Sequence, residues 1–118
     1  MYTVLIGPVI EEVVFRGILQ NGLCCAQKLA KWAAPECVKK TRTFEWLTSA
    51  SARILGVNSL FACAHLANSD SVSSLVQSGR IFLIPRASIL HETTGSIVAP
   101  IATHMTNNLL SFAWDRLV

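Results

Sequence analysis

Glu11 and Glu12 stand side by side, four residues before Arg16, inside an otherwise largely apolar run from Met1 to Leu19. On a helix Glu12 and Arg16 fall at i and i+4 with the acid N-terminal, the better orientation for an ion pair. Glu11 is turned about 100° away and shares its face with Phe15. The spacing therefore separates the two acids: Glu12 is neutralised by Arg16, and Glu11 is left free for chemistry. Adjacent acids on a helix are ordinarily a solvated surface feature. Here the apolar flanks argue otherwise, because an ionisable group in a bilayer-like environment costs about 2.5–3.5 kcal/mol and so usually has a partner and a task.

Two further polar constellations lie on other stretches. His65 follows Phe61 by one helical turn, and His104 and Asn108 form an i, i+4 pair that can converge on a single ligand. A lone histidine on an apolar helix is ordinarily a satisfied core residue. Two of them, with an asparagine and an uncompensated glutamate, in a chain with so few polar groups, point to a site. His91-Glu92-Thr93-Thr94-Gly95 begins like the zinc motif H-E-x-x-H, but Gly95 stands where the second histidine ligand would be. That pair is expected at the membrane edge, ending a helix.

The elements that must position these residues read as helices in a membrane. Of 118 residues 52% are hydrophobic and 14% charged, with mean hydropathy +0.47, where a soluble domain carries about a quarter charged residues. Thr93 to Trp114 contains no Asp, Glu, Lys or Arg. The expected fold is an all-α polytopic membrane bundle of about four helices in a single domain, residues 1–118; a soluble all-helical core is the bland alternative. The first helix is expected from Met1 to about Asn21, with Pro8 in its early half. Residues 22–42 read as an amphipathic or irregular connector broken at Pro35, with Trp32 at an interface. Helical character returns from about Thr43 and continues to Ala67. Asn68 to Ser71 supplies N-cap candidates, and a third helix is expected from about Ser71 to Glu92, kinked by Pro85 and carrying a costly Arg86. Thr94-Gly95-Ser96 should stop that helix and cap the last, which holds Pro100 in its first turn and runs to about Trp114.

The net charge of +3 is concentrated in Lys28, Lys31, Lys39, Lys40, Arg42 and Arg53, opposed locally only by Glu36 and Glu45. Under the positive-inside rule the segment 28–53 faces the cytoplasm. No aromatic interleaving or known module supports nucleic-acid binding. Cys24, Cys25, Cys37 and Cys63 lack zinc-site spacing and read as reduced thiols. The start Met1-Tyr2-Thr3-Val4 lacks the basic region of a secretory signal.

Taken together, Pro8-x-x-Glu11-Glu12-x-x-Phe15-Arg16-Gly17, Phe61-x-x-x-His65 and Thr94-Gly95-Ser96-Ile97-x-Ala99-Pro100-x-x-x-His104-x-x-x-Asn108 resemble the three-motif signature of the CPBP family. These are the CAAX-protease and bacteriocin-processing intramembrane endopeptidases, including the Ras-converting type of prenyl-protein protease. The motifs fall at 8–17, 61–65 and 94–108, in the family's order. The resemblance implies membrane helices around a polar cavity, with Glu11 and His65 activating water and His104 and Asn108 stabilising the oxyanion. Glu12, Arg16 and Phe61 would be structural or orienting. The implied partners are a peptide or protein substrate, including a prenylated C-terminal peptide, and the lipid bilayer.

The chain departs from that pattern in lacking the family's upstream helices, in its long polar insert, and in Pro85-Arg86. It is therefore expected to be an N-terminally truncated family core. A catalytically inactive membrane module of the same fold, binding a partner or conferring immunity to a peptide toxin, is the alternative function. Glu11, His65 and His104 could also form a two-His, one-carboxylate zinc site. The pairing of His104 with Asn108, a poor zinc ligand and a good hydrogen-bond donor, favours a glutamate-based mechanism instead. No cofactor is expected.

Overall fold

A computed structural model describes residues 2–67 and 80–117, with side chains from 5 to 67 and from 82 to 117. Every regular element among these residues is a helix, as the sequence leads one to expect. Helix α1 (Tyr2–Glu12) passes without a break into a π-helical stretch, π1 (Val13–Gln20), and then into α2 (Asn21–Ala33). Two short helices follow, α3 (Glu36–Lys39) and α4 (Arg42–Leu47), then the longer α5 (Ala50–Ala67), α6 (Arg80–Thr94) and α7 (Val98–Leu117). The expected loop at 68–71 and the expected start of the third helix at Ser71 lie outside the described residues.

The expected connector at 22–42 is corrected. Residues 21–33 continue the first helix, because Leu23, Ala26, Gln27, Lys28, Leu29 and Ala30 are good helix formers and outweigh Gly22, which costs about 1 kcal/mol. The run stops where Ala34 and Pro35 turn extended, since proline disfavours helical backbone in the residue before it. Thr41 caps α4, its hydroxyl oxygen accepting from the Phe44 amide at 3.3 Å. The α6–α7 turn forms as its sequence suggests. Gly95 takes φ +66°, its amide donates to the His91 carbonyl at 2.9 Å, and the Ser96 hydroxyl oxygen accepts from the Val98 amide at 3.1 Å.

Helix α7 packs on α6 and α1, α6 packs on α5, and α5 packs on π1, which closes a ring of four helical runs. What the ring encloses is polar. Glu12, Arg16, Gln20, Ser88, His91 and His104 are buried, while the buried apolar residues are few: Val57, Phe61, Leu83, Ile84 and Ala87. Large apolar side chains point outward instead, among them Ile10, Ile18, Leu55, Phe82, Leu109 and Leu110. Among the described residues no helix is long and apolar enough to cross a membrane. Glu11, Glu12 and Arg16 interrupt the first run, and Arg86 and Glu92 interrupt α6.

Candidate active site

The three sequence constellations meet where α1, α5 and α7 converge. Glu12 is 1% exposed and Arg16 fully buried, with Arg16 Nε 3.4 Å from Glu12 Oε2. The i, i+4 pair expected from the sequence is therefore present as an ion pair. Arg16 is held from two further sides. Its Nη2 donates to the Ile84 carbonyl of α6 at 3.1 Å, and its guanidinium carbon lies 5.2 Å over the Phe61 ring. Gln20 continues the same spacing one turn on, and its Nε2 donates to the Ser88 carbonyl at 3.2 Å and to Glu92 Oε1 at 2.7 Å. The π-helical stretch begins immediately after the two glutamates and carries Arg16 and Gln20; such widened turns recur at functional sites.

Glu12 also has a second partner, across the bundle: His104 Nδ1 lies 3.0 Å from its Oε1. A carboxylate only accepts, so Nδ1 carries the proton, and His104 directs Nε2 away from Glu12. That Nε2 lies 3.6 Å from Glu11 Oε2. His65 is oriented in the same manner from another helix. Its Nδ1 lies 3.1 Å from the Phe61 carbonyl, to which it donates, and its ring stacks on Phe61 at 4.5 Å with 20° between planes. Its Nε2 is thereby left as an acceptor, 3.9 Å from the same Glu11 Oε2. Phe61 holds the arrangement from beneath, edge to face with Phe15 at 4.6 Å.

Glu11 is thus the residue on which both histidines converge. Its Oε2 is buried and has no hydrogen-bond partner among the described residues. Asn108 lies half-buried one turn beyond His104 on α7, and no hydrogen bond joins it to Glu11, His65 or His104. No group of three or more His, Cys, Asp or Glu among the described residues is disposed to hold a metal ion. His104 has committed one nitrogen, Nδ1, to Glu12.

His91 and Glu92, which resemble the start of a zinc motif, are held in packing contacts at the other end of α6. His91 Nε2 lies 2.9 Å from Asn21 Oδ1, and Glu92 receives Arg53 Nε at 2.7 Å and Nη2 at 2.6 Å. Arg53 also donates to Gln27, which in turn donates to the Leu47 and Ser49 carbonyls at 2.8 and 3.1 Å. The sequence reading missed Gln20, Gln27, Asn58 and Ser88, all joined to this polar interior. Only Gln20 carried a signal, as the next step of the Glu12–Arg16 spacing.

Comparison with known families matches residues 1–110 to the family described as type II CAAX prenyl endopeptidase Rce1-like. No curated protein and no solved structure matches the chain. The match covers all three motifs and every residue of the Glu11–His65–His104 cluster, and the chain belongs to the type II CAAX prenyl endopeptidase, Rce1-like family.

Proposed function

We propose that this chain is a membrane-embedded endopeptidase that hydrolyses a peptide bond near the C-terminus of a prenylated substrate, using water activated by Glu11 and His65. The observation that carries the reading is the unpartnered Oε2 of Glu11, faced by the acceptor nitrogen of His65 at 3.9 Å and by His104 at 3.6 Å. A separation of 3.9 Å is too long for a direct hydrogen bond and suits a bridging water.

In this reading one water proton is hydrogen-bonded to Glu11 Oε2 and the other to His65 Nε2. As the water oxygen bonds to the substrate carbonyl carbon, Glu11 takes a proton and the carbonyl oxygen becomes an oxyanion. Because His104 Nδ1 is committed to Glu12, its Nε2 can donate only when the ring is an imidazolium. The carboxylates of Glu11 and Glu12 flank that cation, while Arg16 balances Glu12. The imidazolium and the Asn108 amide then stabilise the oxyanion. Collapse of the tetrahedral species breaks the C–N bond, and the proton held by Glu11 passes to the departing amine.

The membrane setting is supported by the arrangement of polarity: Glu12 and Arg16 turn inward while large aliphatic groups such as Ile10, Ile18 and Leu109 turn outward. The polar insert at 28–53 then lies at the cytoplasmic face, with exposed Trp32 and Trp46 at the interface. Of the charges on the first helical run, Glu11, Glu12 and Arg16 belong to the site. No metal enters this mechanism. The experiment is cleavage of a farnesylated peptide by the detergent-solubilised chain. Glu11→Gln should abolish cleavage while leaving the helical content unchanged; equal cleavage by the variant and the wild type would overturn the assignment.

A further inference from the structure

Arg86 stands apart from the polar interior. It is exposed on α6, and its guanidinium has no ion-pair partner among the described residues. It lines a groove of about 550 Å3 between α6 and α7, walled by Phe82 and Leu83 on one side and Thr103, Thr106, Asn107 and Leu110 on the other. The hydroxyls of Thr103 and Thr106 donate to the carbonyls of Ala99 and Ala102 at 2.9 and 2.8 Å, so they are committed to the backbone. A largely apolar groove with an exposed guanidinium, and the Asn107 amide as a further polar side chain, suits an apolar ligand bearing a single anionic group, since guanidinium pairs bidentately with a carboxylate.

The groove adjoins the candidate active site through its α7 wall. Thr103 immediately precedes His104, and consecutive helical residues point about 100° apart, so the groove occupies the face of α7 next to the one that meets Glu11 and Glu12. In a CAAX sequence the three residues after the prenylated cysteine extend at most about 10 Å. That is comparable to the diameter of one helix, about 10–12 Å, so a peptide cut at Glu11 can set its terminus on the neighbouring face.

We infer that Arg86 is a specificity-determining residue that binds the free C-terminal carboxylate of the peptide substrate, with the apolar residues before that carboxylate lying against Phe82, Leu83 and Leu110. This rests on the peptidase reading above for the identity of the ligand. A charge-assisted pair of this kind discriminates a carboxylate from its neutral amide by about 10- to 100-fold.

The test measures binding, and so does not depend on turnover. A fluorescent farnesylated peptide ending in a free-acid CAAX sequence, and its C-terminal amide, are titrated against the detergent-solubilised Glu11→Gln chain by anisotropy. The acid should bind at least about tenfold more tightly than the amide. Adding Arg86→Gln should equalise the two by weakening the acid alone, and Arg86→Lys should restore part of the preference. Equal binding of acid and amide with Arg86 present, binding of neither, or a preference that survives Arg86→Gln would overturn the inference; the first is the result expected if Arg86 reaches only lipid phosphate. Should the wild-type chain cleave neither peptide while the preference and its loss in Arg86→Gln persist, the peptidase reading falls and the carboxylate site stands.

Discussion

Glu12 Oε1 and His104 Nδ1, 92 residues apart in sequence, lie 3.0 Å apart in the buried centre of the helix ring. This contact fixes which nitrogen of His104 faces Glu11. It also gives Glu12 a second partner, since Arg16 Nε lies 3.4 Å from its other oxygen. Glu12 is therefore the joint between the first helical run and the last, while Glu11, one residue earlier, remains available to a substrate.

Glu12→Gln should for this reason be a stability mutation. It removes the counter-charge of fully buried Arg16, and leaving a buried charge unpaired costs about 3–5 kcal/mol. Denaturant unfolding in detergent should show a loss on that scale. Glu11→Gln, whose side chain reaches the site mouth and balances no arginine, should unfold close to wild type. A Glu12→Gln chain as stable as wild type would mean that Arg16 is satisfied by Ile84 and Phe61 without its carboxylate.

Phe61→Ala should lower activity out of proportion to any change in substrate binding. The ring stacks on His65, meets Phe15 edge on and lies beneath Arg16, so its removal frees the His65 imidazole to turn away from Glu11. A misplaced base lowers kcat by about 10²-fold, and truncating a buried phenylalanine also costs about 3–5 kcal/mol of stability. Steady-state kinetics on folded protein at low temperature separate the two effects: kcat should fall and KM should change little. Unchanged kcat would remove Phe61 from the positioning of His65.

Much of this site was legible because helices repeat. The i, i+4 rule places Glu12 beside Arg16, and His104 one turn from Asn108, with no knowledge of the fold. The same rule says nothing about residues on different helices. For that reason the Glu12–His104 contact and the Ser88–Asn58 hydrogen bond at 2.6 Å were invisible. Nothing in Val13 to Gln20 distinguishes a π-helix from an α-helix at the level of residue type. The first helix was read as ending near Asn21 because glycine and asparagine often stop helices, but Asn21 is held by His91 and the backbone continues to Ala33. Pro35 was read correctly, since its constraint is steric and local.

The Arg53–Glu92 pair ties α5, at the end of the polar insert, to the last turn of α6. The hydrogen bonds from Arg53, helped by Gln20, hold the Glu92 carboxyl below the ordinary carboxylate range. A group with a depressed folded-state pKa contributes stability that is present above its unfolded value, about 4.3, and lost as pH falls through the folded value. Acid unfolding followed by circular dichroism should thus begin at higher pH in Glu92→Gln than in wild type, with the gap closing at the lowest pH. Coincident acid transitions would show that this bridge does not couple to folding.

Exposed Cys37, on α3 within the basic insert, reports on orientation. With the segment 28–53 at the cytoplasmic face, an impermeant maleimide should label Cys37 in inverted vesicles and not in sealed right-side-out ones. The chain should remain with the membrane through carbonate extraction. Release into the soluble fraction would contradict the membrane reading, and labelling only from the opposite face would reverse its orientation.

Metal dependence is the prediction that most directly tests the chemistry. A two-His, one-carboxylate zinc centre would need an imidazole nitrogen from each of His65 and His104 and an oxygen of Glu11 around one ion at about 2.0–2.2 Å. In the structure Nε2 of each histidine faces Glu11, at 3.9 and 3.6 Å, and both Nδ1 atoms are committed, to Phe61 and to Glu12. Committed Nδ1 atoms are also how zinc-binding histidines are oriented, so the tautomers alone do not decide between the two chemistries. What favours water activation by Glu11 is Asn108, placed one turn from His104 where a hydrogen-bond donor serves an oxyanion and a zinc ion gains nothing. Cleavage should therefore survive exhaustive chelation in detergent, with metal content measured on the same sample. Activity lost on chelation and restored by one equivalent of zinc would instead make His65 and His104 ligands, and Glu11→Gln would then lower zinc affinity as well as turnover.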